Sequence, residues 1–268
     1  MRVIVTRPQR DAQRWSQDLS ARGFDAVALP LIAIGPAGDS QALQSAWQRL
    51  DDYLAIMFVS GNAVAQFFAS KPSLAHNPRA WSAIKSGAMA VPSPRCWAPG
   101  PGTARALRQA GVDAGLIDAP ATQSGQFDSE ALWQLVHSRV QADARVLIVR
   151  GSDSGGRSAG RDWLASQLIA AGALVDVVVA YERCVPVLSP QQIAVAQQAA
   201  KDGSVWLFSS SQAIGNLAQL LPTQNWNSAR AVATHPRIAQ AAREAGFGVV
   251  CESRPTLEDV VVSIESAQ

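Results

Sequence analysis

From Gly151 to Ser158 the chain reads Gly-x-x-x-x-Gly-Arg-Ser, and only Arg150 separates it from the apolar run Val146–Val149. An apolar run that feeds a glycine-rich turn and then a helix is the layout of a phosphate cradle. A nucleotide P-loop needs a Lys to reach the β- and γ-phosphates, and Arg157 stands in that place. That counts against ATP and leaves two readings. Either glycine frees a helix N-terminus for close packing, or that N-terminus binds an anion through backbone N–H groups, with Arg157 beside it. Basic residues other than Lys71, Lys85 and Lys201 are all Arg, whose planar fork matches carboxylate and phosphate. Other chemistries have less footing. His76, His137 and His235 are scattered, and Cys96, Cys184 and Cys251 form no CxxC pair, so no metal site is expected. The run Gly100–Arg105, GPGTAR, carries Arg105 where a dinucleotide fingerprint has its last glycine. A dinucleotide site is therefore not expected.

Composition narrows the partners. The chain has 268 residues, 48% of them hydrophobic and 16% charged, and a net charge of +2. That is enough apolar material for a real core, and too little charge for nucleic-acid binding by bulk electrostatics. The isolated cysteines fit a reducing compartment. The start, MRVIVTRPQR, enters a strand-like run with no signal-peptide core, and no apolar stretch is long enough to span a bilayer. A cytoplasmic protein without membrane or nucleic-acid partners is expected.

The elements that would position these residues alternate. Strand-like runs fall at Val3–Val5, Ala26–Leu29, Ala55–Val59, Ala88–Val91, Val146–Val149, Leu174–Val179, Val205–Phe208, Ala231–Ala233 and Gly248–Val250. Helical stretches separate them; Arg10–Arg22 is one, with Gly23 at its C-terminal cap. Such alternation predicts parallel sheet and an α/β class. Three units also recur in the same order. The stretch from Val3 matches that from Leu147, with Arg7 against Arg150. The stretch from Ile56 matches that from Val205, with Phe58 against Phe208 and Ser60 against Ser210. The stretch from Pro101 matches that from His235. The chain therefore reads as two copies of one domain. Pro-marked runs from Leu29 and from Tyr181 read as strands that cross between them.

The motifs VIVTRP, LPLIAI, FVSGNAV, GPGTARAL, DSEAL, RGSDSGGRSAGRDWL, AYERCVP, LFSSSQAIGNL and THPRIAQAAREAGF occur in this order across nearly the whole chain. In order and spacing they resemble the uroporphyrinogen-III synthase family. The resemblance implies two flavodoxin-like parallel-sheet lobes joined by a two-stranded antiparallel linker. The first lobe would be discontinuous, 1–33 plus 186–268; the second would be 38–179; the linker strands would be 29–37 and 180–187. It implies a ligand in the cleft between lobes and a cofactor-free cyclisation of hydroxymethylbilane, with loss of water and inversion of ring D. It also implies a monomer, with hand-over from hydroxymethylbilane synthase. A two-lobed protein that binds a small anion without chemistry is the competing reading.

Within this resemblance, Tyr181 matches a tyrosine that the family places at the cleft. Its phenol would give a proton to the leaving hydroxyl or hold it by a hydrogen bond. The substrate carries acetates and propionates, so groups at strand ends and helix starts are candidate contacts. These are Thr6, Arg7, Ser60, Asn62, Thr103, Arg150, Gly151, Arg157, Ser209, Ser210, Thr234, His235 and Arg237. Trp15, Trp47, Trp133, Trp163 and Trp206 lie in helix or strand patterns and are read as packing.

Overall fold

The structure is a computed structural model that describes residues 1–72, 94–121, 128–153 and 163–267. The chain divides into two units, Met1–Ile34 with Cys184–Gln268, and Gly35–Arg183.

The first unit holds strands β1 (Arg2–Val5), β2 (Asp25–Ala28), β9 (Val205–Phe208), β10 (Arg230–Ala233) and β11 (Val249–Glu252). They form one sheet, in the order β11-β10-β9-β1-β2, with every pairing parallel. Alternate side chains serve opposite faces. Val3, Val5, Val205 and Leu207 pack against α1 (Gln9–Ser20) and α10 (Leu257–Ser266). Ile4, Trp206 and Phe208 pack against α7 (Pro190–Ala199), α8 (Ser211–Leu220) and α9 (Pro236–Glu244). A strand covered on both faces needs apolar residues throughout, hence the unbroken Val-Ile-Val and Val-Trp-Leu-Phe runs. Gly23, just past α1, takes φ +90, the left-handed value that ends a helix cheaply only at glycine.

The second unit holds β3 (Ala33–Pro36) at its boundary, then β4 (Ala55–Phe58), β5 (Arg95–Trp97), β6 (Ile117–Asp118), β7 (Arg145–Asp153) and β8 (Leu174–Cys184). The sheet order is β3-β8-β7-β4-β5-β6. Its helices are α2 (Ser40–Gln48), α3 (Gly61–Ala69), α4 (Pro101–Gln109), α5 (Ser129–Val136) and α6 (Trp163–Ala170). Leu132, Val136, Leu164 and Leu168 pack on Ala55, Met57, Val146 and Ile148. Trp47 stacks on Phe67 at 4.6 Å and Phe58 meets Phe67 edge-on at 5.6 Å.

The register makes the repeat concrete. Val3 lies beside Val205, and Val146 beside Ala55. Thus β1, β2, β9, β10 and β11 correspond to β7, β8, β4, β5 and β6, and Arg7 corresponds to Arg150. Apart from the extra edge strand β3, both sheets have the flavodoxin-like order, with a topological switch point between β1 and β9 and between β7 and β4.

One detail corrects the sequence expectation and two add to it. Gly151 does not lie in a turn: β7 runs through it to Asp153. The strand before GPGTAR is Arg95–Trp97, a run in which an Arg and a Cys obscure the strand pattern, while Ala88–Val91 lies outside the described residues. Tyr181 belongs to β8, which continues without a break from Leu174 to Cys184.

Candidate active site

In the second unit, β4 ends at Phe58, and Ser60 then caps α3 by accepting the Ala63 N–H at 3.1 Å. Its hydroxyl also lies 3.2 Å from that of Tyr181. Two features of the sheet bring Tyr181 there. First, the β7–β8 ladder slips by one residue: Arg150 faces Val179 but Gly151 faces Tyr181, leaving Ala180 as a bulge. Without the slip Tyr181 would face Ser152 and lie on the other side of the sheet. Ala180 and Tyr181 are both buried. Second, Gly151 has no side chain. A Cβ there would come within 2.4 Å of the Tyr181 ring. The ring fills the space that any larger residue would occupy. Tyr181 is 0% exposed. The Arg183 guanidinium sits two residues along the same strand. Its Nη2 is 3.5 Å from the Tyr181 hydroxyl, and its carbon is 6.0 Å from the ring centroid.

Asn62 follows in the first turn of α3 and is half-buried, as is Arg150 on β7. Thr103 is buried inside the first turn of α4, whose N-terminus is Gly100 followed by Pro101. Arg157 lies outside the described residues.

The first unit places its candidates at the corresponding strand ends. Thr6 is fully buried, and its hydroxyl donates to the Leu207 carbonyl at 2.8 Å, which ties β1 to β9. Arg7 lies 4.2 Å over the Trp15 ring, and its Nε has no hydrogen-bond partner. Burial pushes its pKa down to about 10; Asp11 opposes that shift and Arg14 adds to it. It is still a cation at neutral pH. Ser209 and Thr234 are half-buried; the Thr234 N–H donates to the Phe208 carbonyl at 3.1 Å. Ser210 caps α8, accepting the Gln212 N–H at 3.3 Å. His235 caps α9 through Nδ1, which accepts the Arg237 N–H at 3.1 Å, and both residues are exposed.

The structure therefore gathers Ser60, Gly151 and Tyr181 into one cluster and adds Arg183, which the motifs do not single out. A signal for it is nonetheless present: Tyr-x-Arg on a strand puts both side chains on one face. Among the described residues, no group of three His, Cys, Asp or Glu side chains could hold a metal ion. Among them also, no helix is long and apolar enough to cross a membrane.

Two doubly wound units with one strand order, the first interrupted in sequence by the second, define a duplicated α/β protein with polar residues at its switch points. The family model described as uroporphyrinogen-III synthase HemD matches residues 13–261. The chain belongs to the uroporphyrinogen-III synthase family. It is 26% identical over 219 residues to a uroporphyrinogen-III synthase of Synechococcus elongatus, covering 82% of this chain and 74% of that one. Two solved structures share the fold. The uroporphyrinogen-III synthetase of Helicobacter pylori aligns over 100% of both chains at 15% identity, with a TM-score of 0.59. A mutant uroporphyrinogen III synthase of Thermus thermophilus aligns over 100% of this chain and 98% of its own at 17% identity, with a TM-score of 0.53.

Proposed function

We propose that this chain is a cyclising lyase of tetrapyrrole biosynthesis. It closes hydroxymethylbilane to uroporphyrinogen III, with loss of water and inversion of ring D. The substrate's terminal hydroxyl leaves as water once it accepts a proton, pushed out by the pyrrole nitrogen. The substituted carbon of ring D then attacks to give a spiro intermediate, which rearranges to the product. The linear molecule also closes unaided to the symmetrical isomer I, so the enzyme's task is mainly positioning. The proton comes from a weak acid in the site, here assigned to Tyr181.

The observation that carries this reading is the Tyr181–Ser60–Gly151 cluster at the second unit's switch point. There a phenol is held by a slipped register and by hydrogen bonds rather than by chance packing. Arg7, a half-buried cation whose Nε has no hydrogen-bond partner, is the first unit's candidate for a substrate carboxylate. Asn62, Thr103, Arg150, Ser209, Thr234, His235 and Arg237 remain candidate contacts at strand ends and helix starts. The same reading takes the protein as a cytoplasmic monomer that receives its substrate from hydroxymethylbilane synthase.

The test is product analysis. Hydroxymethylbilane is generated in situ from porphobilinogen and its deaminase, the protein is added, and the oxidised isomers are separated by chromatography. Isomer III in excess over a control without protein is expected. Isomer I alone, from folded protein, would sink the assignment and favour a protein that binds an anion without chemistry.

A further inference from the structure

Tyr181 is 0% exposed, whereas Ser60 is half-buried. A phenol with no surface cannot itself touch the substrate's hydroxyl in this arrangement. Its oxygen meets the Ser60 hydroxyl at 3.2 Å and Arg183 Nη2 at 3.5 Å. The Ser60 hydroxyl has two lone pairs and one hydrogen. One lone pair accepts the Ala63 N–H at 3.1 Å. If the other accepts the Tyr181 O–H, the serine's own hydrogen is left for a third partner.

We propose that Ser60 is the group that meets the substrate and relays the proton of Tyr181. The inference rests on the reading of Tyr181 as the acid. In the step, the Ser60 hydrogen passes to the leaving hydroxyl, the carbon–oxygen bond breaks, and water departs. Its electron pair leaves with it, and the pyrrole nitrogen supplies electrons to the new cation. Tyr181 replaces the hydrogen on Ser60 and becomes a phenolate. Arg183, a fixed cation with a donor aimed at that oxygen, stabilises the new charge. The proton released from the cyclised product returns along the same path, so no other reactant is consumed. Gly151 and the Ala180 bulge are positioning elements: they fix the ring where its hydroxyl can reach Ser60. Hydrogen bonds of this kind often tighten only when substrate is bound, which suits the 3.5 Å contact of Arg183.

The test is a mutant cycle on kcat, with isomer III as the readout. Ser60→Ala and Tyr181→Phe should each lower kcat by roughly 100-fold, within the range for loss of a general acid. Together they should lose little more than either alone, because a relay is broken once. Ser60→Thr, which keeps the hydroxyl and the cap, should restore most of the rate. In mixtures of light and heavy water, kcat of the parent should fall along a bowed curve, because two protons move together. Full activity in Ser60→Ala with loss in Tyr181→Phe would overturn the relay and leave Tyr181 as a direct donor. Loss in Ser60→Ala with full activity in Tyr181→Phe would overturn the role of Tyr181 itself. Losses that add independently, or a straight isotope line, would also overturn the relay. Should Ser60→Ala fail to fold, Ser60→Gly removes the hydroxyl and still caps a helix start.

Discussion

The two units share a strand order and a capping serine, yet they use the end of their first strand in opposite ways. In the first unit β1 ends at Val5, Thr6 turns its hydroxyl into the sheet, onto the Leu207 carbonyl, and Pro8 stands at the N-cap of α1. In the second unit the residue equivalent to Pro8 is Gly151, and β7 runs on past it for two more residues, to Asp153. The longer ladder creates the slip at Ala180, and the bare Cα leaves room for Tyr181. One end is closed by internal hydrogen bonding; the other encloses a phenol and directs it at a serine. Duplicating a topology therefore did not duplicate a site. At the equivalent position one copy has a proline and the other a glycine.

The contrast is tested most sharply at that position. Gly151→Ala must displace the Tyr181 ring, and kcat for isomer III should fall by about 100-fold, as expected for a shift of an ångström in a reacting group. Pro8→Ala, its counterpart, should instead cost about 0.5–1 kcal/mol of stability through a looser unfolded chain. Urea denaturation and turnover on both variants would show it. Equal effects on turnover would mean that the two strand ends do not differ in role.

A second contrast lies at the sheet edges. Asp118 on β6 corresponds to Cys251 on β11. Burial alone would raise the Asp118 pKa, but hydrogen bonds from Arg95 and Arg139, at 2.7 Å and 2.8 Å, together with their charges outweigh it and hold the pKa below the usual carboxylate range. Both arginines are partly solvated, so Asp118→Asn should destabilise by about 2 kcal/mol, less than for a fully buried pair. A folded-state pKa below the unfolded one contributes stability above the unfolded value, near 3.9, that is lost as pH falls through the folded value. Denaturation between pH 6 and about pH 2 should therefore show an acid loss that shrinks in Asp118→Asn. A parallel acid dependence in the two proteins would remove Asp118 from the account.

The serine caps give a matched pair. Ser60→Ala and Ser210→Ala should each cost about 1 kcal/mol as lost caps. The fall in kcat for Ser60→Ala should exceed that for Ser210→Ala, since only Ser60 also meets a buried phenol. The smallest effect is expected at Thr6→Val, about 1 kcal/mol or less in urea for one hydrogen bond to Leu207. A loss beyond about 2 kcal/mol would mean that the first unit's strand end carries more than this bond.

Much of the fold is legible in the chain's own pattern. Strands buried on both faces read as Val-Ile-Val and Val-Trp-Leu-Phe, and the match of Phe58 and Ser60 to Phe208 and Ser210 discloses the repeat. Arg7 and Arg150 align because register follows hydrophobic pattern. Residues 95–97 escape detection as a strand because Arg-Cys-Trp is short and its Arg is turned to Asp118. The glycine at 151 is visible, but its meaning is not. Local sequence offers a turn or a phosphate loop for such a glycine, and only cross-strand pairing shows that it makes room for a ring.

Class, repeat and family are written in the linear chain, because they rest on periodicity and on motif order. Tyr181 and Ser60 can be singled out there too. Their meeting, the place of Gly151 beneath the phenol and the approach of Arg183 are properties of the folded sheet alone. Ser60 and Tyr181 are 121 residues apart in the chain. Their contact depends on a one-residue slip between strands, which is fixed by packing across the sheet and leaves no periodic trace in either segment.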